Sequence, residues 1–333
     1  MPNQATHTVR WGVLSTANIG RRVIPAIQQS RNGHVVAVAS RDLARARAFA
    51  AELDVPRAIG SYDALLDDPE IDAVYISLPN SLHRPWTIRA AERGKHVLCE
   101  KPLALTASEC DDMIAACNAA GVKFMEAFMY RFHPQIQKVQ ELVAAGSVGA
   151  VRLIRAAFSF TITKPGDIRL DKDLGGGALM DVGCYCVNVA RLVASAEPAE
   201  VQATAHFGVE NDVDETLAGL LRFPGGELAL FDCSFHTAFR QSCEIVGTDG
   251  VIEVPAPYLP GTADATIHVR RHDQVETMTV PGTNHYTRMA EHFADCVLTG
   301  AELRWPAIDG RANMAVIDAL HRAARTGKLV ALA

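Results

Sequence analysis

The chain has 333 residues, enough for two domains, and its 49% hydrophobic and 21% charged content is that of a soluble globular protein. A net charge of −6 and the lack of any basic tract argue against a nucleic-acid or anionic-membrane partner. No apolar run reaches membrane-spanning length, and Met1 to Arg10 holds no apolar h-region and no twin arginine, so a cytoplasmic location is expected.

The first part alternates strand and helix. Val9–Leu14 is a short apolar strand, and Ile19, Val23, Ile24 and Ile27 mark one apolar side of a helix over 19–28. His34–Ser40 is a second buried strand, followed by an Ala-rich helix over 43–53 with Asp42 as its cap. Ser61 starts a short helix, 73–77 is a strand, and a helix over 85–93 ends at Gly94. The apolar run from His96 to Glu100 is the next strand. Thr106-x-x-Glu109 is a capping box for a helix that closes at Gly121, and 123–128 is a strand again. This predicts an α/β domain over 1–128, a Rossmann-type doubly wound parallel sheet.

From 129 to 333 the pattern changes. Six strands follow one another over 151–163, 200–208, 216–223, 227–235, 242–247 and 251–254, with turns at Pro224-Gly225-Gly226 and Thr248-Asp249-Gly250. They predict an α+β domain with an open-faced, mostly antiparallel sheet, and two helices, about 285–298 and 310–326, close the chain. Few helices are available to cover six strands, so an exposed apolar face and self-association are expected. The eight cysteines form no Cys-x-x-Cys pair and no zinc spacing, so free buried thiols and no metal site are expected.

The first βα turn is Gly12-Val-Leu-Ser15-Thr16-Ala17-Asn18-Ile19-Gly20. Ser15 and Ala17 stand where a dinucleotide fingerprint has glycine, yet both are small. Amides of Asn18 to Gly20 at the helix start suit a pyrophosphate. The second strand ends at Ser40-Arg41-Asp42. Ser40 fills the position of an acidic ribose-binding residue, and the Arg41 fork suits a 2′-phosphate, which favours NADP. Asp42 keeps NAD open, since a one-residue register shift brings a carboxylate to the ribose. At the end of the strand from His96, Glu100-Lys101-Pro102 puts charge where open α/β sheets bind ligands. A lysine there suits proton transfer, because desolvation lowers its pKa readily. A surface ion pair before a loop stays open on the triplet alone.

Ser77-Leu78-Pro79-Asn80-Ser81-Leu82-His83, Gly94 to Leu103 around Glu100-Lys101-Pro102, and Gly175-Gly176-Gly177-Ala178-Leu179-Met180-Asp181-Val182-Gly183-Cys184-Tyr185 together resemble the glucose–fructose oxidoreductase/inositol dehydrogenase/MocA family. The resemblance runs to the Ala319–Gly327 stretch. It implies cofactor contacts at Ser15 to Gly20, Ser40, Arg41, Leu78, Pro79, Asn80, His83, Glu100 and Lys101, with Lys101 near nicotinamide and substrate. Asp181 matches the family's aspartate, but Tyr185 replaces the histidine that inositol dehydrogenase-like members carry four residues later. The Asp–Tyr version resembles the aldose-oxidising branch, including D-xylose and dihydrodiol dehydrogenases. A branch of sugar 3-ketoreductases also pairs lysine with tyrosine.

Oxidising a sugar hydroxyl moves a hydride to the cofactor and a proton to the protein. Tyr185 is the candidate acceptor, Lys101 the cation that favours its phenolate, and Asp181 the group that orients them or the substrate. By position Arg131 is expected to reach the cofactor, and Tyr130 and His133 the substrate; packing under a loop is the alternative reading of all three. Lys164, Asp167 and Arg169 lie on a polar loop over the pocket, Arg169 as a substrate contact. Asn284-His285-Tyr286 is given only a packing role. The expected activity is an NADP-dependent aldose 1-dehydrogenase making a lactone. A keto-sugar or nucleotide-sugar reductase and a catalytically silent NADP sensor are kept as alternatives. A homodimer or homotetramer through the C-terminal sheet is expected from family members.

Overall fold

The computed structural model describes residues 8–332. Residues 1–7, most of the stretch expected to hold no secretory signal, lie outside them. The described chain forms two compact units, 1–129 with 284–311, and 130–283 with 312–333. A single division at 128/129 therefore misses one return: residues 284–311 belong with the first unit.

The first unit is a six-stranded sheet in the order β3-β2-β1-β4-β5-β6. Its strands are β1 (Val9–Leu14), β2 (Gly33–Ala39), β3 (Arg57–Ile59), β4 (Ala73–Ile76), β5 (His96–Cys99) and β6 (Phe124–Glu126). Every neighbouring pair is parallel. The crossovers are α1 (Gly20–Gln28), α2 (Leu43–Glu52), α3 (Tyr62–Leu66), α4 (His83–Glu92) and α5 (Ala107–Ala119). This is the doubly wound order whose ligand crevice lies where β1 and β4 diverge. Three starts are fixed by the expected caps: Asp42 accepts from Ala44 and Arg45 amides, Ser61 from Ala64, and Thr106 from Glu109.

A returning helix of this unit, which chain order makes α8 (His285–Thr299), packs on α1 and β1. Phe293 meets Trp11 with ring centroids 5.3 Å apart, and both rings are fully buried. Thr287 Oγ1 donates to the Ala26 carbonyl at 3.1 Å.

The second unit opens with α6 (Pro134–Ala144), whose N-cap is His133. Its sheet has nine strands, not six, in the order β14-β13-β12-β11-β7-β10-β9-β8-β15. They are β7 (Val151–Thr161), β8 (Glu200–Phe207), β9 (Asp214–Arg222), β10 (Leu228–Ser234), β11 (His236–Gly247), β12 (Val251–Val254), β13 (Ala265–Arg271), β14 (Gln274–Val280) and β15 (Val330–Ala331). Among the described strand pairs of this sheet only β7 and β10 run parallel; the others are antiparallel. Helix α7 (Cys184–Ala194) packs on β7 and β10. The last helix, α9 (Ala307–Thr326), gives residues 307–311 to the first unit and the rest to the second. Along β10 burial alternates: Ala229 and Phe231 are buried, while Leu228 and Leu230 are 37% and 41% exposed. One sheet face is thus covered and the other open. All eight cysteines are buried, and none is joined in a disulfide.

Candidate active site

In the first unit, the β1–α1 turn stands outside the C-terminal end of β1, beside the diverging β4. Ser15 takes φ 110°, a region that favours glycine. Its Oγ accepts the Ala17 amide at 3.0 Å, so the serine closes the turn itself. At Gly20 a Cβ would lie 3.0 Å from the Phe49 ring, so glycine lets α1 pack close to α2. Helix α1 has no side-chain cap and no acid in its first turn. The turn Ser15, Thr16, Ala17, Asn18 and Ile19 therefore leads into a helix start that suits an anionic pyrophosphate.

At the end of β2, Ser40 is buried and its Oγ accepts the Asp42 amide at 3.2 Å. The Asp42 carboxylate is committed to the α2 amides at 2.8 and 3.2 Å. It serves as the expected helix cap, through Oδ1 alone. Arg41 is exposed. It neighbours the Tyr62 phenol, which burial pushes up while the Arg41 and Arg45 charges pull it down. Two cations, Arg41 and Arg45, stand in this corner, and they fit a 2′-phosphate. Arg45 was hidden in an Ala-rich helix; its spacing of four from Arg41 is the signal.

After β4, Leu78 is buried and Pro79 and Asn80 are half-buried at a single 3₁₀ turn. His83 is fully buried, with Nδ1 3.0 Å from the Pro102 carbonyl and Nε2 2.9 Å from the Leu78 carbonyl. Burial pushes its pKa down, against the pull of these carbonyls. The ring thus ties the loop after β4 to the loop after β5. Glu100 follows β5. Its Oε1 accepts the Tyr75 hydroxyl at 2.5 Å and its Oε2 faces the Lys101 amide at 3.4 Å. Lys101 is half-buried and joined to Pro102 by a cis peptide. Tyr286 also belongs here: its pKa rises through burial and the Glu100 charge, while Arg22 and Lys101 oppose the rise.

In the second unit, the glycine run reaches Gly177 at φ 123°, where a Cβ would lie 2.4 Å from Asp214 Oδ1. Asp214 is 2% exposed; its Oδ2 accepts the Leu179 amide at 2.6 Å and its Oδ1 faces His321 Nε2 at 3.2 Å. This bond starts a π-helical turn, Leu179–Gly183, that runs directly into α7. Such turns occur often at functional sites. The turn carries Asp181, and the first turn of α7 carries Tyr185. Arg169 Nε donates to Asp181 Oδ2 at 2.7 Å, and its Nη1 lies 3.3 Å from Asp167 Oδ1. The Asp181 charge, opposed by burial, holds the Arg169 guanidinium above its ordinary pKa.

Tyr185 is 5% exposed among rings of Phe158, Tyr130 and Tyr258, with centroids 5.4, 5.7 and 5.3 Å away. Tyr130 was expected at the substrate. It is fully buried, its hydroxyl donates to Asn188 Oδ1 at 2.6 Å, and its ring is one of those packed on Tyr185. Arg131 and His133 are buried, and Lys164 is exposed. Among the described residues no His, Cys, Asp and Glu group could hold a metal ion.

Residues 9–128 match the family model described as "Oxidoreductase family, NAD-binding Rossmann fold", and residues 136–253 match the GFO/IDH/MocA C-terminal domain. The chain belongs to the GFO/IDH/MocA oxidoreductase family. This oxidoreductase is 45% identical to a D-xylose 1-dehydrogenase (NADP(+)) 2 of Haloferax volcanii, over 97% of this chain and 99% of the relative. It is 35% identical to a trans-1,2-dihydrobenzene-1,2-diol dehydrogenase of Xenopus laevis, over 87% and 90%. Its fold also matches a crystal structure of a 3-ketoreductase from Actinomadura kijaniata with NADP and TDP-benzene. That match has TM-score 0.92 and 31% identity, and covers 95% of this chain and 98% of the other.

Proposed function

We propose that this oxidoreductase uses NADP to oxidise a sugar hydroxyl, as an aldose 1-dehydrogenase acting on a D-xylose-like sugar and giving a lactone. The observation that carries this reading is the 45% identity, over nearly the whole chain, to an NADP-dependent D-xylose 1-dehydrogenase. Ser15 to Gly20 would hold the pyrophosphate, with Leu78, Pro79 and Asn80 beside it, and Ser40, Arg41 and Arg45 the 2′-phosphate corner. NADP supplies the hydride acceptor when bound. The chain must take the hydroxyl proton. Free tyrosine titrates near about 10. Tyr185 therefore needs a cation to act as base, and Lys101 is assigned that part. Asp181, fixed by Arg169, orients the sugar hydroxyls, and Arg169 stands at the same edge as a substrate contact.

The test is a panel of aldoses with NADP+ and NAD+, followed by NADPH or NADH absorbance. Turnover of D-xylose with NADP+ is expected. Failure of every aldose, together with NADPH-dependent reduction of a keto sugar, would favour the reductive reading that the 3-ketoreductase likeness supports. Binding of NADP without turnover of any sugar would favour the silent sensor. The open sheet face, with Leu228 and Leu230 exposed, supports a homodimer or homotetramer, and light scattering tests it. Eight free buried cysteines support a reducing compartment such as the cytoplasm.

A further inference from the structure

The first unit holds a buried tyrosine whose hydroxyl has a use that the reaction above does not require. Tyr75 lies in the middle of β4, opposite Leu98 of β5 in the strand register, and is fully buried. A tyrosine that only filled the core would be replaced by phenylalanine at no cost, because a buried hydroxyl must find a partner. The partner here is a carboxylate. Tyr75 donates to Glu100 Oε1 at 2.5 Å, while Glu100 Oε2 faces the Lys101 amide at 3.4 Å. The Glu100 amide in turn donates to the Ile76 carbonyl, the residue after Tyr75, at 2.9 Å. Glu100 is thus tied to β4 through both its backbone and its side chain, immediately before Lys101.

Tyr75 is faced by Glu100, Tyr286 and Cys99. Tyr286, from α8, is faced by Glu100, Arg22 of α1 and Lys101. His83, at the start of α4, also feels Lys101 and ties the Pro102 carbonyl on the other side of the lysine.

We propose that Tyr75 is a positioning residue for Lys101: its hydrogen bond holds the Glu100 carboxylate in place, and Glu100 sets the seat and charge of the lysine. The proposal rests on the part given to Lys101 above. A hydrogen bond to the charged form keeps a carboxyl ionised, and an anion nearby keeps an ammonium ionised. Without the Tyr75 hydroxyl, Glu100 takes up a proton at higher pH and is no longer fixed beside Lys101.

The test combines Tyr75→Phe, Glu100→Gln and the double variant in the full-length protein, with circular dichroism confirming the fold of each. With D-xylose and NADP+, Tyr75→Phe is expected to lower kcat about tenfold. The acid limb of its pH profile should move up by about one unit. NADP+ affinity should stay within about threefold. Glu100→Gln should cost more and remove that limb. Adding Tyr75→Phe to Glu100→Gln should then cost nothing further, since the tyrosine acts only through the carboxylate.

A second readout needs no sugar. After reductive ¹³C-methylation, with Lys101→Met identifying the signal, the Lys101 titration midpoint should fall by about one unit in Glu100→Gln. It should fall in the same direction in Tyr75→Phe, and no further in the double variant. If D-xylose is not turned over but the midpoints move, only the substrate reading fails. Unmoved midpoints and an unmoved pH profile in Tyr75→Phe overturn the proposal and leave Tyr75 a core residue. Additive losses in the double variant overturn it too.

Discussion

The cofactor end of the first unit and the tyrosine end of the second are built in opposite ways. In the first, Arg41 is exposed, Lys101 is half-buried, and both stand on short loops at strand ends. Backbone bonds and caps hold those loops: Asp42 on the α2 amides, His83 between two carbonyls, Glu100 on Tyr75. In the second, Tyr185 is 5% exposed within a cluster of aromatic rings, at the junction of a π turn and α7. A loop at a sheet edge can reach a charged ligand without paying for desolvation. A phenol buried among rings is placed rigidly, but burial works against its phenolate, so it depends on a charge supplied elsewhere.

The sharpest way to break this comparison is to remove each group in turn. Tyr185→Phe should lower kcat by about 10²- to 10⁴-fold with little change in NADP+ affinity, as expected when an acid/base group is lost and the ring kept. Lys101→Met should cost at least as much, because it removes the compensating charge. Full kcat in Tyr185→Phe beside a dead Lys101→Met would make the lysine the acid/base and the tyrosine packing.

At the exposed end, Arg41→Ala should erase most of the preference for NADP+ over NAD+ in kcat/KM, a change of about tenfold. Arg45→Ala should erase part of it. An unchanged ratio in both variants would mean that the corner formed by Arg41 and Arg45 does not meet a phosphate.

Stability should show the rigidity of the second region. Gly177→Ala places a methyl against the Asp214 carboxylate at a φ that side chains avoid. It should destabilise the protein by about 1–3 kcal/mol in denaturant unfolding. Activity should fall with it, since Asp214 anchors the turn that carries Asp181. A neutral Gly177→Ala would show that this turn is loosely held.

Much of the first unit was legible because its signals are local. Caps at Asp42, Ser61 and Thr106 mark helix starts, and Glu100-Lys101-Pro102 marks a strand end. Less of the second was, because its cues are long-range. The β13–β14 hairpin alternates polar Thr266, His268 and Arg270 with core residues, and turns through His272 at φ 50° with no glycine. It therefore carries no standard hairpin dipeptide. The return of α8 to the first unit is set by Phe293 packing on Trp11, a pairing no periodicity reveals. In the site, nothing in the sequence singles out Tyr75 from its strand, and Tyr130 reads as a substrate contact. The hydroxyl partners Glu100 for Tyr75 and Asn188 for Tyr130 exist only once the fold is made.

The smallest expected effect concerns a surface tie of the second unit. Lys172 and Arg325 hold the Asp212 carboxyl down at about 2. A carboxyl depressed below its unfolded value of about 3.9 contributes stability that is present above that pH and fades as the pH falls toward the folded value. The small Tm difference between wild type and Asp212→Asn should therefore shrink steadily below pH about 4. A difference that does not change with pH would mean that the ion pairs contribute nothing.

The proposal that most needs a test is that Lys101 and Tyr185 act together in the proton transfer. The most direct test is single-turnover NADPH formation from NADP+ and D-xylose in Lys101→Met, Tyr185→Phe and the combined variant. The combined variant should be no slower than the slower single variant, because groups that act as a unit are lost together. Losses that multiply would show two independent roles, and would contradict the account.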